Sequence, residues 1–174
     1  MTLHEALITA LDDEYRARAT YQTVLDHYGQ VWPFANIVHA EERHIAALVS
    51  MFQRYGLAMP ADRWTGSIVL NGSLVAECEA GVAAEIRNYQ MYDNLLAQVS
   101  EPDVRMVFSN LRNVSAYHHL PAFKACVESY TGQAVSLPDA SAVSSGSNWN
   151  TAMGLVAGAG FIWLLSRVMS MREY

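Results

Sequence analysis

The sequence predicts an all-α fold, a bundle of four long helices set as two antiparallel hairpins, followed by an apolar C-terminal helix. Three observations predict it. Four stretches repeat apolar residues with a helical period. Each is punctuated by glycine, proline or a capping residue. The links between them run short, long, short. The 174 residues suit one domain with a real core. Apolar residues make up 52% of the chain and charged residues 16%, which excludes a disordered chain and a fully solvated coiled coil.

The first helix is expected from about Leu3 to Tyr28, stopped by Gly29. The second starts after Pro33 and ends at Gly56, with Pro60 beyond it. The third begins near Ser73, an N-cap after Asn71-Gly72, and runs to about Val99. Ser100-Glu101-Pro102-Asp103 makes a turn, and the fourth helix runs to about Thr131. Such helices are about 33 to 42 Å long. Short turns make helices 1 and 2, and 3 and 4, antiparallel neighbours. The Gly56–Gly72 connection reaches about 55 Å at roughly 3.3 Å per residue, enough to cross the bundle end to end. Two hairpins and one long crossover is the ferritin-like arrangement.

Residues 1–131 therefore form the bundle. Residues 132–150, with five serines and Asp139 as the one charge, read as a flexible linker. Residues 151–174 read as an apolar helix, uncharged from Thr151 to Leu165 and followed by Arg167 and Arg172. It either anchors the bundle to a membrane through residues 151–169, with Arg167 snorkelling, or packs on the bundle or a partner subunit in a homo-oligomer. Its Gly154-x-x-x-Gly158 spacing suits close packing in either setting.

Polar residues on the apolar stripes carry the chemistry. Glu14 lies on the stripe of helix 1, and Glu41 and His44 on that of helix 2. Helix 3 carries Cys78, Gly81, Glu85, Asn88 and Tyr92 inward. Helix 4 carries Phe108, Leu111, Ser115, His119, Ala122 and Cys126. A carboxylate inside a bundle costs several kcal/mol unless compensated, and three converging carboxylates repel. One or two dications remove both problems. Carboxylate oxygen with imidazole nitrogen suits iron or manganese and leaves positions open for oxygen chemistry. Glu41-x-x-His44 has the i, i+3 spacing that aims both groups at a shared metal pair.

Register agrees. Glu85 and His119 are equidistant from the turn at Pro102, and Glu14 and His44 from Gly29. Cys78 and Cys126 are also equidistant from Pro102, two helical turns from Glu85 and His119. They read either as a thiol pair passing electrons to the metal or as two small core residues. His118 competes with His119, but the stripe favours His119; Pro121 is expected to kink the helix there. Tyr21, Tyr89 and Tyr92 read as core aromatics, with a hydrogen-bonding or radical role as the alternative. Arg18 reads as a buried partner of a ligand carboxylate, and Asp12, Asp13 and Glu42 as a solvated face. His4, His27 and His39 read as solvent-facing.

The runs "DDEYRARATY", "PFANIVHAEERHIAALVSMFQRYG", "AEIRNYQMYDNLL" and "HHLPAF" resemble an uncharacterised bacterial and archaeal branch of the ferritin-like, rubrerythrin-related superfamily. The resemblance covers roughly residues 1–130. It implies a carboxylate-bridged site for two iron ions, with manganese or a single ion as alternatives. Carried over, the metal ligands are Glu14, Glu41, His44, Glu85 and His119. The superfamily usually repeats Glu-x-x-His on the fourth helix; here Ala116 stands three before His119, so a carboxylate is missing. Glu77 or water would have to replace it.

The implied activity is an oxidoreductase acting on peroxide, oxygen or ferrous iron, with Cys78 and Cys126 as a candidate redox pair. The alternative is a non-catalytic module recruited to a membrane or assembly by the C-terminal segment. A net charge of −6 disfavours a nucleic-acid partner. With no signal peptide visible, a cytoplasmic protein is the expectation.

Overall fold

The computed structural model describes residues 1–136, and every regular element among them is helical. These are α1 (Leu3–Tyr28), α2 (Phe34–Tyr55), α3 (Leu74–Leu96), α4 (Pro102–Val114), a π-helical turn (Ser115–His119) and α5 (Leu120–Thr131). Most of the expected linker and the whole expected helix at 151–174 lie outside the described residues. No helix among the described residues is long and apolar enough to cross a membrane.

Local chemistry sets the ends. Thr2 caps α1 in a reciprocal box: its hydroxyl accepts from the Glu5 N–H at 3.2 Å, and Glu5 Oε2 accepts from the Thr2 N–H at 2.7 Å. Such a cap contributes about 1 kcal/mol. Gly56 ends α2 with φ 62°, the left-handed conformation glycine adopts without a Cβ clash. Ser73 accepts from the Ala76 N–H to start α3, and Pro102 occupies the first turn of α4, where its missing N–H costs nothing.

Both hairpins are antiparallel. Along α1 and α2, His4 lies edge-on to Phe52, Glu14 meets His44, and Tyr21 packs on Phe34. In the second, Cys78 meets Cys126, Glu85 meets His119, and Tyr92 packs on Phe108. The long connection climbs the outer side of α1. Ala58 carbonyl is 2.7 Å from His4 Nε2, Arg63 and Trp64 donate to Asp12, and Asp62 accepts from Arg18. The expected role of Arg18 beside a ligand carboxylate is thus corrected: its guanidinium turns outward to Asp62 and Thr65, where a partner and water are both at hand.

Two cores flank the bundle's middle. One is apolar and holds Leu7, Leu11, Leu48, Phe52, Leu95 and Phe108. The other is aromatic: Tyr21, Phe34 and Phe123 have ring centroids 5.1 to 5.8 Å apart. Beyond it Cys78 and Cys126 are joined in a disulfide with Cα atoms 5.9 Å apart. Closing a loop of 48 residues stabilises the fold by about 4 kcal/mol in the chain-entropy account.

The fourth stretch does not run as one α-helix. Pro121 has no N–H to give the preceding turn, and the Leu120 N–H bonds instead to Ser115 carbonyl, five residues back. The extra residue in that turn advances the buried face by one position. Phe123 is therefore fully buried and fills the core, whereas Ala122, expected inside, is half-buried.

Candidate metal centre

Between the two cores, Glu14, Glu41, His44, Glu85 and His119 are all buried and aimed at one another. They form two overlapping clusters, Glu14–Glu41–His44 and Glu41–Glu85–His119, whose candidate ligand atoms lie within 4.8 Å of one another in each. Glu41 belongs to both. Its Oε2 lies 2.8 Å from His44 Nδ1 and its Oε1 lies 3.3 Å from His119 Nδ1. Glu14 Oε2 completes the first cluster at 3.1 Å from His44 Nδ1, and Glu85 Oε2 the second at 3.5 Å from His119 Nδ1. The imidazoles lie nearly parallel, with centroids 5.5 Å apart.

The outer oxygens are held by a crossed pair of tyrosines. Tyr92 of α3 donates to Glu14 Oε1 of α1, and Tyr21 of α1 donates to Glu85 Oε1 of α3, each at 2.6 Å. Burial and the nearby carboxylates raise both phenols well above their ordinary value, so they remain donors. Asn88 extends the network. It donates to Asp13 at 2.9 Å and to Glu14 Oε1 at 3.4 Å, and it accepts from the Ser115 hydroxyl at 2.6 Å.

The donor set suits a cation. His119 Nδ1 is fully buried, faces two carboxylates, and has no aligned hydrogen-bond partner. A buried polar atom so placed needs a proton or a metal ion. Without a metal, protons take the cation's place. Burial favours a neutral His44, but Glu14 and Glu41 outweigh it and raise its pKa to about 10. Burial opposes charge on His119 too, and Glu41 and Glu85 raise it to about 9. Glu14 is raised to about 7 by burial and by the charge of Glu41. Burial also pushes Glu41 upward, but His119 and His44 prevail and its carboxyl is lowered.

These shifts make the metal-free fold alkali-sensitive. Each imidazole's contribution is complete below its unfolded value of 6.5 and is lost as pH rises through about 9 for His119 and about 10 for His44. The neutral Glu14 contributes below its unfolded value of 4.5 and loses that contribution through about 7, the same direction. The slope is about 1.4 kcal/mol per pH unit for each titrating group. We expect Tm of the chelator-treated protein to fall steadily from pH 7 to pH 10, and saturating zinc to flatten the profile. Differential scanning calorimetry across that range checks it; a flat chelated profile refutes it.

Among the described residues, those singled out in the sequence have definite places. Glu14, Glu41, His44, Glu85 and His119 come together, and His118 is exposed. Glu77 does not stand in for the missing carboxylate. It is buried two turns from Glu85, where it accepts from the Asn71 backbone N–H and side-chain amide. Asp13 is not on a solvated face, since its carboxylate accepts from Asn88 and Arg16. Asp12 is also engaged, by Arg63 and Trp64, whereas Glu42 is exposed. His27 and His39 are exposed, but His4 is half-buried against Phe52 and the Ala58 carbonyl. Tyr89 stands apart from the centre, beside Arg112. The tyrosine crossing had a legible signal: a tyrosine follows seven residues after a stripe glutamate on both α1 and α3.

The family profile described as an uncharacterized protein domain, DUF2202, matches residues 4–143. The crystal structure of hypothetical protein MJ0754 from Methanococcus jannaschii DSM 2661 is similar, with a TM-score of 0.66 and 22% sequence identity. The match covers 76% of this chain and 86% of that one, and at this identity the likeness is one of fold. No curated protein matches.

Proposed function

We propose that this chain, which belongs to the DUF2202 family of uncharacterised domains, is a ferritin-like dimetal carboxylate protein acting as an oxidoreductase on peroxide, dioxygen or ferrous iron. The observation that carries the reading is the shared carboxylate: Glu41 turns one oxygen to each of two buried imidazoles. Glu14 and His44 would hold one ion, Glu85 and His119 the other, and Glu41 both. A bound iron pair supplies two-electron redox chemistry at oxygen.

The remaining work falls to the chain's own groups. Tyr21 and Tyr92 fix the outer oxygens of Glu85 and Glu14, leaving the inner oxygens free to bind. The flanking cores exclude bulk water, which strengthens every charge interaction between them. Three carboxylates leave a pair of dications one positive charge in excess, which suits a peroxide anion. Ala116 contributes no donor where the superfamily pattern has a carboxylate, so this donor set leaves more of the coordination sphere to substrate.

Anaerobic titration with ferrous iron, followed by elemental analysis, is expected to give two ions per chain. Peroxide or oxygen should then raise a near-ultraviolet absorbance band. No uptake of iron or manganese would falsify the reading. A single ion per chain would confine it to one of the two clusters.

A further inference from the structure

The seam between α3 and α5 is layered. Cys78 meets Cys126, Gly81 meets Phe123, and Glu85 meets His119. One layer therefore separates the disulfide from two side chains of the metal centre, about 10 Å along the helix axes. That layer is closely packed: a Cβ on Gly81 would lie 2.4 Å from the Phe123 ring. Tyr21 joins it, with its ring centroid 5.2 Å from that of Phe123 and its hydroxyl on Glu85 Oε1. Packed aromatic groups thus run from the residues flanking the disulfide to a carboxylate of the centre.

Both cysteines have zero exposure, so reagents in bulk solvent meet their sulfurs only through local opening of the fold. On the side away from the centre, Cys126 Sγ lies 3.8 Å from the Trp32 carbonyl oxygen, and Trp32 itself is 51% exposed. The sulfur pair is one residue beneath the surface at the α1–α2 turn. As a dithiol, Cys126 can donate its S–H to that carbonyl.

We infer that Cys78 and Cys126 are a two-electron store for the buried centre, an inference that rests on the dimetal reading above. In the dithiol state they supply two electrons and two protons to a peroxide substrate. The O–O bond breaks, the Cys78–Cys126 S–S bond forms, and two waters leave. A small dithiol reductant reverses the sulfur change: its own thiols are oxidised to a disulfide, and their electrons and protons return to Cys78 and Cys126. The disulfide form is the discharged state.

The test uses the full chain. Protein reduced anaerobically with dithiothreitol and freed of it is loaded with ferrous iron or with redox-inert zinc, then given one equivalent of hydrogen peroxide. Iodoacetamide trapping and mass spectrometry count the remaining thiols over time. The iron form is expected to lose both thiols at least about 100-fold faster than the zinc form. Equal rates in the two forms overturn the inference, as does an iron form that consumes peroxide with both thiols intact. Loss of the helical circular dichroism signal on reduction overturns it too, because a store must survive both states. Failure of iron to bind removes the dimetal reading along with it; iron uptake with equal rates removes this inference alone.

Discussion

Replacing Glu41 by Gln is expected to empty both metal positions at once, with affinity falling by at least about 100-fold for each ion. Loss of an outer partner that merely orients a ligand already costs about 10- to 100-fold, and Glu41 is a common member of both clusters. The change is close to isosteric, so packing around the residue is preserved while the charge is removed. Glu14→Gln and Glu85→Gln provide the contrast. Each belongs to one cluster, and each variant is expected to retain one ion per chain. Elemental analysis after equilibrium dialysis separates the patterns. Two ions retained by Glu41→Gln, or identical losses in all three variants, would remove the shared-carboxylate assignment.

The same substitution has a consequence in the metal-free protein. Glu41 is one of the two carboxylates that keep each imidazole protonated. Without its charge, both histidines lose protons at lower pH. The decline of Tm with pH should then start at the same pH as in the parent chain but level off earlier, with a smaller total loss. A metal role and a proton-pairing role for Glu41 are thus read by different measurements on one variant.

Much of this centre was legible because burial conflicts with charge. Glu14, Glu41, His44, Glu85 and His119 fall on stripes that must face inward, and an inward carboxylate demands a partner. Register from the turns at Gly29 and Pro102 then placed opposing residues at one height. The parts that were not legible depend on tertiary contacts that no periodicity encodes. Arg18 was assigned by its stripe, but the connection laid over α1 offers Asp62 at the surface, and the longer side chain reaches it. Asp13 sits beside the stripe and looks solvated, until Asn88 arrives from α3. The kink expected at Pro121 is a π-helical turn, and its extra residue exchanges Ala122 for Phe123 in the core.

Gly81→Ala is expected to destabilise the fold even though alanine is the better helix former by about 1 kcal/mol. Gly81 is an α3 residue with ordinary helical backbone, so its requirement is one of space. The new methyl would lie 2.4 Å from Cδ1, 2.6 Å from Cε1 and 2.7 Å from Cγ of Phe123. That ring is fully buried, with Tyr21 and Phe34 on it at centroid distances of 5.2 and 5.1 Å, so no flexible end can swing away. Overpacking of this kind costs about 1 to 3 kcal/mol, and three contacts this short belong at the upper end. After the helix gain, a net loss of about 2 kcal/mol lowers Tm by roughly 5 to 10 °C. Phe123→Leu alone leaves a cavity and should also destabilise. Together the two changes should cost less than their sum, by about 1 to 2 kcal/mol, because the smaller side chain makes the room the methyl needs. A double-mutant cycle of thermal melts reads this coupling directly. Strict additivity would mean that Phe123 relaxes freely, and the packed layer between disulfide and metal centre would lose its rigidity as an argument.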